Sequence, residues 1–184
     1  EDRDFLLEHL STSIHNALTA ADAADSQQWG WRPNSTSWSV AMVIEHLITH
    51  DELFYREVRV LTALPEPPVV SDSLFSSDDA ILSYGIRTEQ NMGNLPDYLA
   101  PMGRWCNKKD AVTAYKKIRA RLIGFVKKKK KDLRHFYTTS GRGPTVYRDL
   151  HQLLLISIAH TRRHTEQIRR ILSTQPPDND VVER

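Results

Sequence analysis

Leu6, Leu10, Ile14, Ala17, Leu18 and Ala21 recur at steps of three and four residues, with Glu8, His15 and Asn16 off that stripe. The spacing predicts a helix from Asp4 to about Ala24. Asp25 to Trp38 follows, rich in breakers (Gly30, Pro33, Asn34) yet carrying Trp29, Trp31 and Trp38. So much aromatic surface predicts an ordered loop whose indoles pack on the helices rather than a flexible linker. Ser37 or Ser39 can cap a second helix running to about Ala63, with Val40, Val43, Leu47, Phe54, Val58 and Leu61 on one face. Leu64, Pro65, Pro67 and Pro68 end it.

Residues 69 to 105 are the least regular. A short amphipathic helix is expected from Ser77 to about Met92, opening on an acidic turn, and then a loop with Pro96, Pro101 and Gly103. Asn107, with Asp110 three residues on, opens a third long helix that carries Val112, Tyr115, Ile118, Leu122 and Phe125 inward. It runs into five consecutive lysines, Lys127 to Lys131. Around a helix these would point in every direction, the core included, so the helix should end within them, where cations also suit the negative end of its dipole. After Gly141 to Pro144 the last helix is expected from near Thr145 to about Ser173, on a stripe of Val146, Leu150, Leu153, Leu154, Ile168, Ile171 and Leu172. The tail from Gln175, with two prolines and several acids, reads as frayed. The pattern is therefore all-α: a four-helix bundle over residues 1–174 with a long crossover and a short extra helix.

Composition supports this reading. In 184 residues, Gly is scarce at seven and aromatics make up 8%, which fits a helical protein better than a sandwich or barrel. A net charge of +2 provides no global field to recruit nucleic acid or an anionic membrane. No apolar run approaches the ~20 residues that span a bilayer. The single cysteine, Cys106, forbids an internal disulfide, and with no secretory signal pattern the expected compartment is a reducing cytoplasm. Cys106, beside Trp105, reads as a packed thiol. Arg162, Arg163, Arg169 and Arg170 are expected mainly on the solvated face of the last helix.

Candidate chemistry lies in the histidines. At ~100° per residue His164 falls within the apolar stripe of the last helix and His160 at its edge, ~40° away, so two imidazoles one turn apart face the interior. Imidazole is a borderline ligand for Zn, Ni, Cu or Fe, and an i, i+4 pair supplies two coordination vectors. The second helix offers a third ligand twice over, because His46 and His50 are also one turn apart and both border its apolar stripe. His50 lies slightly nearer the stripe centre, and spacing leaves the choice open. Glu45 diverges from His46 by ~100° and is expected to face solvent. Tyr55 and Gln167 are within reach of a pocket at this level.

Trp38 to Leu47 reads W-S-V-A-M-V-I-E-H-L, and Ala159 to Ile168 carries A-H-x-x-R-H-x-x-Q-I. In these two motifs, in Pro101 to Trp105 and in the Ala111 to Val126 helix, the chain resembles the DinB-like superfamily over nearly its whole length. Met42 departs from the acidic residue common there, away from any ligand position. The resemblance implies a four-helix bundle, often dimeric, that binds one divalent metal, Zn or Ni, through one histidine of the second helix and two of the last. Carried over by motif these are His46, His160 and His164, with His50 and Gln167 as possible supporting residues. Three imidazoles leave a coordination position open, which suits activation of a nucleophile better than a closed structural site. A thiol entering it would ionise. The resemblance further implies a thiol S-transferase that joins a low-molecular-weight thiol to an electrophile, or else a hydrolase. A metal-braced binding or stress-response module is the second reading, and DNA binding through the lysine run the weakest.

Overall fold

The computed structural model describes residues 2–84, 97–105, 107–139 and 147–174. Four long helices dominate: α1 (Asp2–Asp22), α3 (Val40–Ala63), α5 (Lys108–Lys128) and α6 (Leu150–Ser173). Two short ones, α2 (Ser26–Gly30) and α4 (Asp78–Tyr84), lie in the connections, as do single 3-10 turns at Asp72–Leu74, Asp97–Leu99 and Leu133–His135. Around the bundle the order is α1, α6, α3, α5 and back to α1, so the consecutive long helices α1 and α3 sit across a diagonal, as do α5 and α6. Among the described residues no helix is long and apolar enough to cross a membrane.

The helix ends follow side-chain chemistry. Ser39 accepts the Met42 N–H at 3.2 Å, Asn107 the Asp110 N–H at 2.9 Å and Asp149 the Gln152 N–H at 2.7 Å, each satisfying a donor that the first helical turn leaves unpaired. α3 stops at Leu64, before Pro65. α5 ends at Lys128; beyond it the Lys129 ammonium lies 4.6 Å over the Phe136 ring and Lys131 pairs with Glu66. Inside the tryptophan loop, Asp25 and Gln28 form a reciprocal capping box that starts α2. Trp29, Trp31 and Trp38 pack against the core, as expected of an ordered loop.

The core is two apolar clusters. One joins Ala17, Ala21, Val43, Ile44, Leu47, Tyr115, Ile118 and Ile168; the other joins Leu6, Leu10, Val58, Leu122, Val126, Leu150, Leu154 and Ile158. Burying each large aliphatic chain contributes about 1.5–3 kcal/mol before entropy is counted.

One expectation needs correction. The last helix begins at Leu150, not near Thr145, because Tyr147–Asp149 pairs antiparallel with Tyr137–Thr139 as strands β2 and β1. Aromatic and β-branched residues favour that extended pairing, and the Asp149 cap fixes where it turns to helix. Arg119 is buried within α5, 1% exposed. The segment from residue 85 to Met92, the turn at Gly141 to Pro144, Cys106 and the tail from Gln175 lie outside the described residues.

Polar clamps join the elements. Arg134 donates to Asp2, Asp78 and Asp149 at 2.8, 2.8 and 3.2 Å, tying α1, α4 and the start of α6 together. Deeper in the bundle Arg119 meets Asp51 (Nε to Oδ2, 2.9 Å) while its NH2 donates to Thr161 at 2.7 Å and Tyr115 at 3.2 Å. Asp51 also accepts from Ser157 at 3.1 Å, so one ion pair bridges α3, α5 and α6.

Candidate metal centre

α3 and α6 pack side by side, and each turns a pair of histidines into their seam. His46 Nε2 lies 3.0 Å from His160 Nε2, and His164 Nε2 lies 3.1 Å from the same atom. The three residues form a group whose ligand atoms all fall within 4.8 Å of one another. His46 and His164 are buried and His160 is half-buried.

The outer ring nitrogens set the tautomers. His46 Nδ1 faces the Leu99 carbonyl at 2.9 Å and His164 Nδ1 faces the Gln167 amide oxygen at 2.6 Å. These oxygens only accept, so both Nδ1 atoms carry the proton and both Nε2 atoms turn a lone pair inward. His160 Nε2 between them can donate to one neighbour at most. His160 Nδ1 is itself buried without a hydrogen-bond partner. The donor set of three converging imidazoles is compatible with a divalent cation of borderline softness. The two Nε2 separations are close to the roughly 3.3 Å edge of a tetrahedral site with metal–nitrogen bonds near 2.05 Å.

Burial disfavours the charged imidazolium throughout. It holds His50, His160 and His164 well below the ordinary histidine range and lowers His46 as well, the neighbouring imidazoles and Arg163 adding to the effect. All four are thus neutral at pH 7, the form that coordinates.

His50 does not direct a ring nitrogen at this point. Its ring stacks on His160, centroids 3.7 Å apart and planes 12° from parallel, with Nδ1 buried and unpartnered. Trp38 also packs on the cluster, tilted 5.0 Å from His46 and nearly parallel to His164 at 6.1 Å. Tyr55 packs in both core clusters, with the Arg59 guanidinium 5.8 Å above its ring.

Four features of the site differ from, or lie outside, what the sequence pattern predicts. Arg163, expected on the solvated face, is only half exposed and places NH2 3.1 Å from His164 Nε2. Arginine's length lets the head fold back toward the seam although its Cα lies outside it. Glu45 does not face solvent: it is 4% exposed and accepts the backbone N–H groups of Met102 (2.8 Å), Gly103 (3.0 Å) and Arg104 (3.2 Å). Those bonds occupy its carboxylate, so it is not a base for chemistry at the histidines. Helical divergence did turn Glu45 away from His46, but the crossover loop covers that face. The Leu99 carbonyl had no sequence signal, because any residue has one. Trp38 does have one: it stands eight residues before His46, just ahead of the Ser39 cap of the same helix.

Comparison with curated proteins finds no match. A family model described as the DinB superfamily matches residues 9–168, and so covers both histidine pairs and the loops that support them. The match takes in most of the 184 residues, and the chain belongs to the DinB superfamily.

Proposed function

We propose that this protein is a metal-dependent enzyme in which His46, His160 and His164 hold one divalent cation, zinc or nickel, and whose reaction transfers a low-molecular-weight thiol to an electrophile. The observation that carries the reading is the convergence of three Nε2 atoms, those of His46 and His164 lying 3.0 and 3.1 Å from that of His160. The cation would supply Lewis acidity, enough to ionise a thiol or water at neutral pH in the position the three imidazoles leave open. The chain's own part is preorganisation. Leu99 and Gln167 hold the Nδ1 protons of His46 and His164, which fixes ring rotation and leaves Nε2 as the donor. Trp38 and the stacked His50 ring pack against the imidazoles, and burial beneath them lowers the local dielectric, which strengthens charge interactions there.

The test is metal analysis of protein made without a histidine tag, followed by assay of a thiol panel against a chloronitroarene. About one metal per chain is expected in the wild type and in His50→Phe, with loss in His160→Ala and conjugation that follows metal content. Unchanged metal content in His160→Ala would refute the site.

A second reading is favoured by the way the same histidines join α3 to α6: the cation acts as a cross-brace in a binding module without turnover. A large loss of melting temperature in the triple His→Ala variant, with neither thiol transfer nor hydrolysis in the metal-loaded wild type, would select it.

A further inference from the structure

We infer that Glu45 is the positioning residue of this centre: by closing on the backbone of Met102, Gly103 and Arg104 it holds the loop that presents the Leu99 carbonyl to His46. The inference rests on the reading of His46 as a ligand. It begins from adjacency in α3. Successive helical side chains diverge by ~100°, so Glu45 reaches the crossover loop while His46 reaches α6 from the same rigid turn. The loop is gripped by one stripe of that helix. Glu45 takes three N–H groups, Thr49 accepts from the Arg104 guanidinium at 3.2 Å, and Glu52 takes the same guanidinium at 2.9 and 3.1 Å. Positions 45, 49 and 52 are spaced as one face of a helix.

The grip sits three residues from the atom that matters. Leu99 ends a 3-10 turn, Pro101 restricts the backbone between, and Met102 is the first residue bound to Glu45. The Leu99 oxygen therefore inherits its place from residues 102–104, and its 2.9 Å contact with His46 Nδ1 decides which nitrogen of that ring carries the proton. Gly103 makes the closure possible: its φ of +77° turns successive N–H groups toward one carboxylate, a backbone state that L side chains rarely adopt. The two carboxylates on the stripe differ in kind. Glu45 is buried and bound to backbone, whereas Glu52 meets Arg104 with both side chains about two-fifths exposed.

The experiment has two readouts. Ring-nitrogen NMR of the metal-free protein reports the His46 tautomer, and competition with a chromophoric chelator reports zinc affinity. The wild type is expected to show His46 protonated on Nδ1. Glu45→Ala should mix the tautomers and weaken zinc binding about 10–100-fold, as removal of a ligand's supporting hydrogen bond does elsewhere. Glu45→Gln should fall between, and Glu52→Gln, which breaks only the exposed pair, should stay within about 3-fold. Gly103→Ala perturbs the closure from the loop side without touching α3, has open space for its Cβ, and should shift both readouts in the direction of Glu45→Ala. It decides the matter if Glu45→Ala does not fold. Wild-type tautomer and affinity in a folded Glu45→Ala, or in Gly103→Ala when that variant alone can be read, overturn the inference. A wild type that takes up no zinc refutes the metal reading instead, and the tautomer in metal-free protein still tests the Glu45 linkage.

Discussion

Replacing Asp51 by Asn should be among the most damaging single changes in the bundle. Asp51 and Arg119 are each 1% exposed, and Arg119 is held by Asp51 through Nε at 2.9 Å and NH2 at 3.2 Å. Burial works to neutralise the Arg119 guanidinium, and Asp51 together with Tyr115 more than offsets this, keeping it charged. Asn keeps the shape and the hydrogen bond to Ser157 but removes the countercharge, leaving a buried guanidinium whose NH1 already lacks a partner. Breaking one half of a buried pair in this way costs about 3–5 kcal/mol. At about 2.1 cal/mol/K per residue, 184 residues give an unfolding entropy near 390 cal/mol/K, so the melting temperature should fall by about 8–13 °C. Urea unfolding and calorimetry measure both. The double variant Asp51→Leu with Arg119→Met, which removes both charges, should recover most of the loss. If Asp51→Asn costs under about 1 kcal/mol, or the double variant is no better than the single, the pair does not carry the electrostatic weight assigned to it.

The metal-free protein should lose stability in mild acid. The unfolded chain's histidines protonate around 6.5, whereas the native fold keeps His50, His160 and His164 neutral to well below that. The unfolded state therefore binds more protons below 6.5, and native stability, complete above that value, declines as pH falls through the window toward the depressed native values, by up to about 1.4 kcal/mol per pH unit for each group. Urea titrations of metal-stripped protein at pH 7.5, 6.5 and 5.5 should show this, and a midpoint independent of pH would count against neutral burial of the cluster. Asp149→Ala removes the cap of α6 and one carboxylate from Arg134, and should cost about 1–2 kcal/mol, or about 3–5 °C; a melting curve matching the wild type would show that the strand-to-helix junction is held by other contacts.

Much of the architecture was written in short-range chemistry. The 3.6-residue stripes placed α1, α3 and α5 within about two residues of their observed ends, because alternate placements would expose leucine and valine and bury lysine. Asn107 was legible as a cap, and Ser39 as one of two candidates with Ser37, for the same local reason. The start of α6 was misplaced because Tyr147–Asp149 gains its partners from Tyr137–Thr139, ten residues upstream, and from a bridge to Phe75. Glu45 is buried against expectation because distant partners satisfy it, as Asp51 does the buried Arg119, and no local pattern announces a backbone loop at residues 102–104.

The sequence by itself determined that the chain is helical, where its long helices run, and that two i, i+4 histidine pairs border their apolar faces, since each depends only on residues within a turn or two. The motif resemblance added the choice of His46. Only the tertiary structure decided which helices are neighbours, and so that His46 and His160, 114 positions apart, meet at 3.0 Å while His50 lies flat against His160. It likewise decided that Glu45, one residue from His46, is turned inward against a loop. The physical reason is the same in each case: periodicity assigns a side chain to a face, but what covers that face is fixed by packing of segments far apart in the chain.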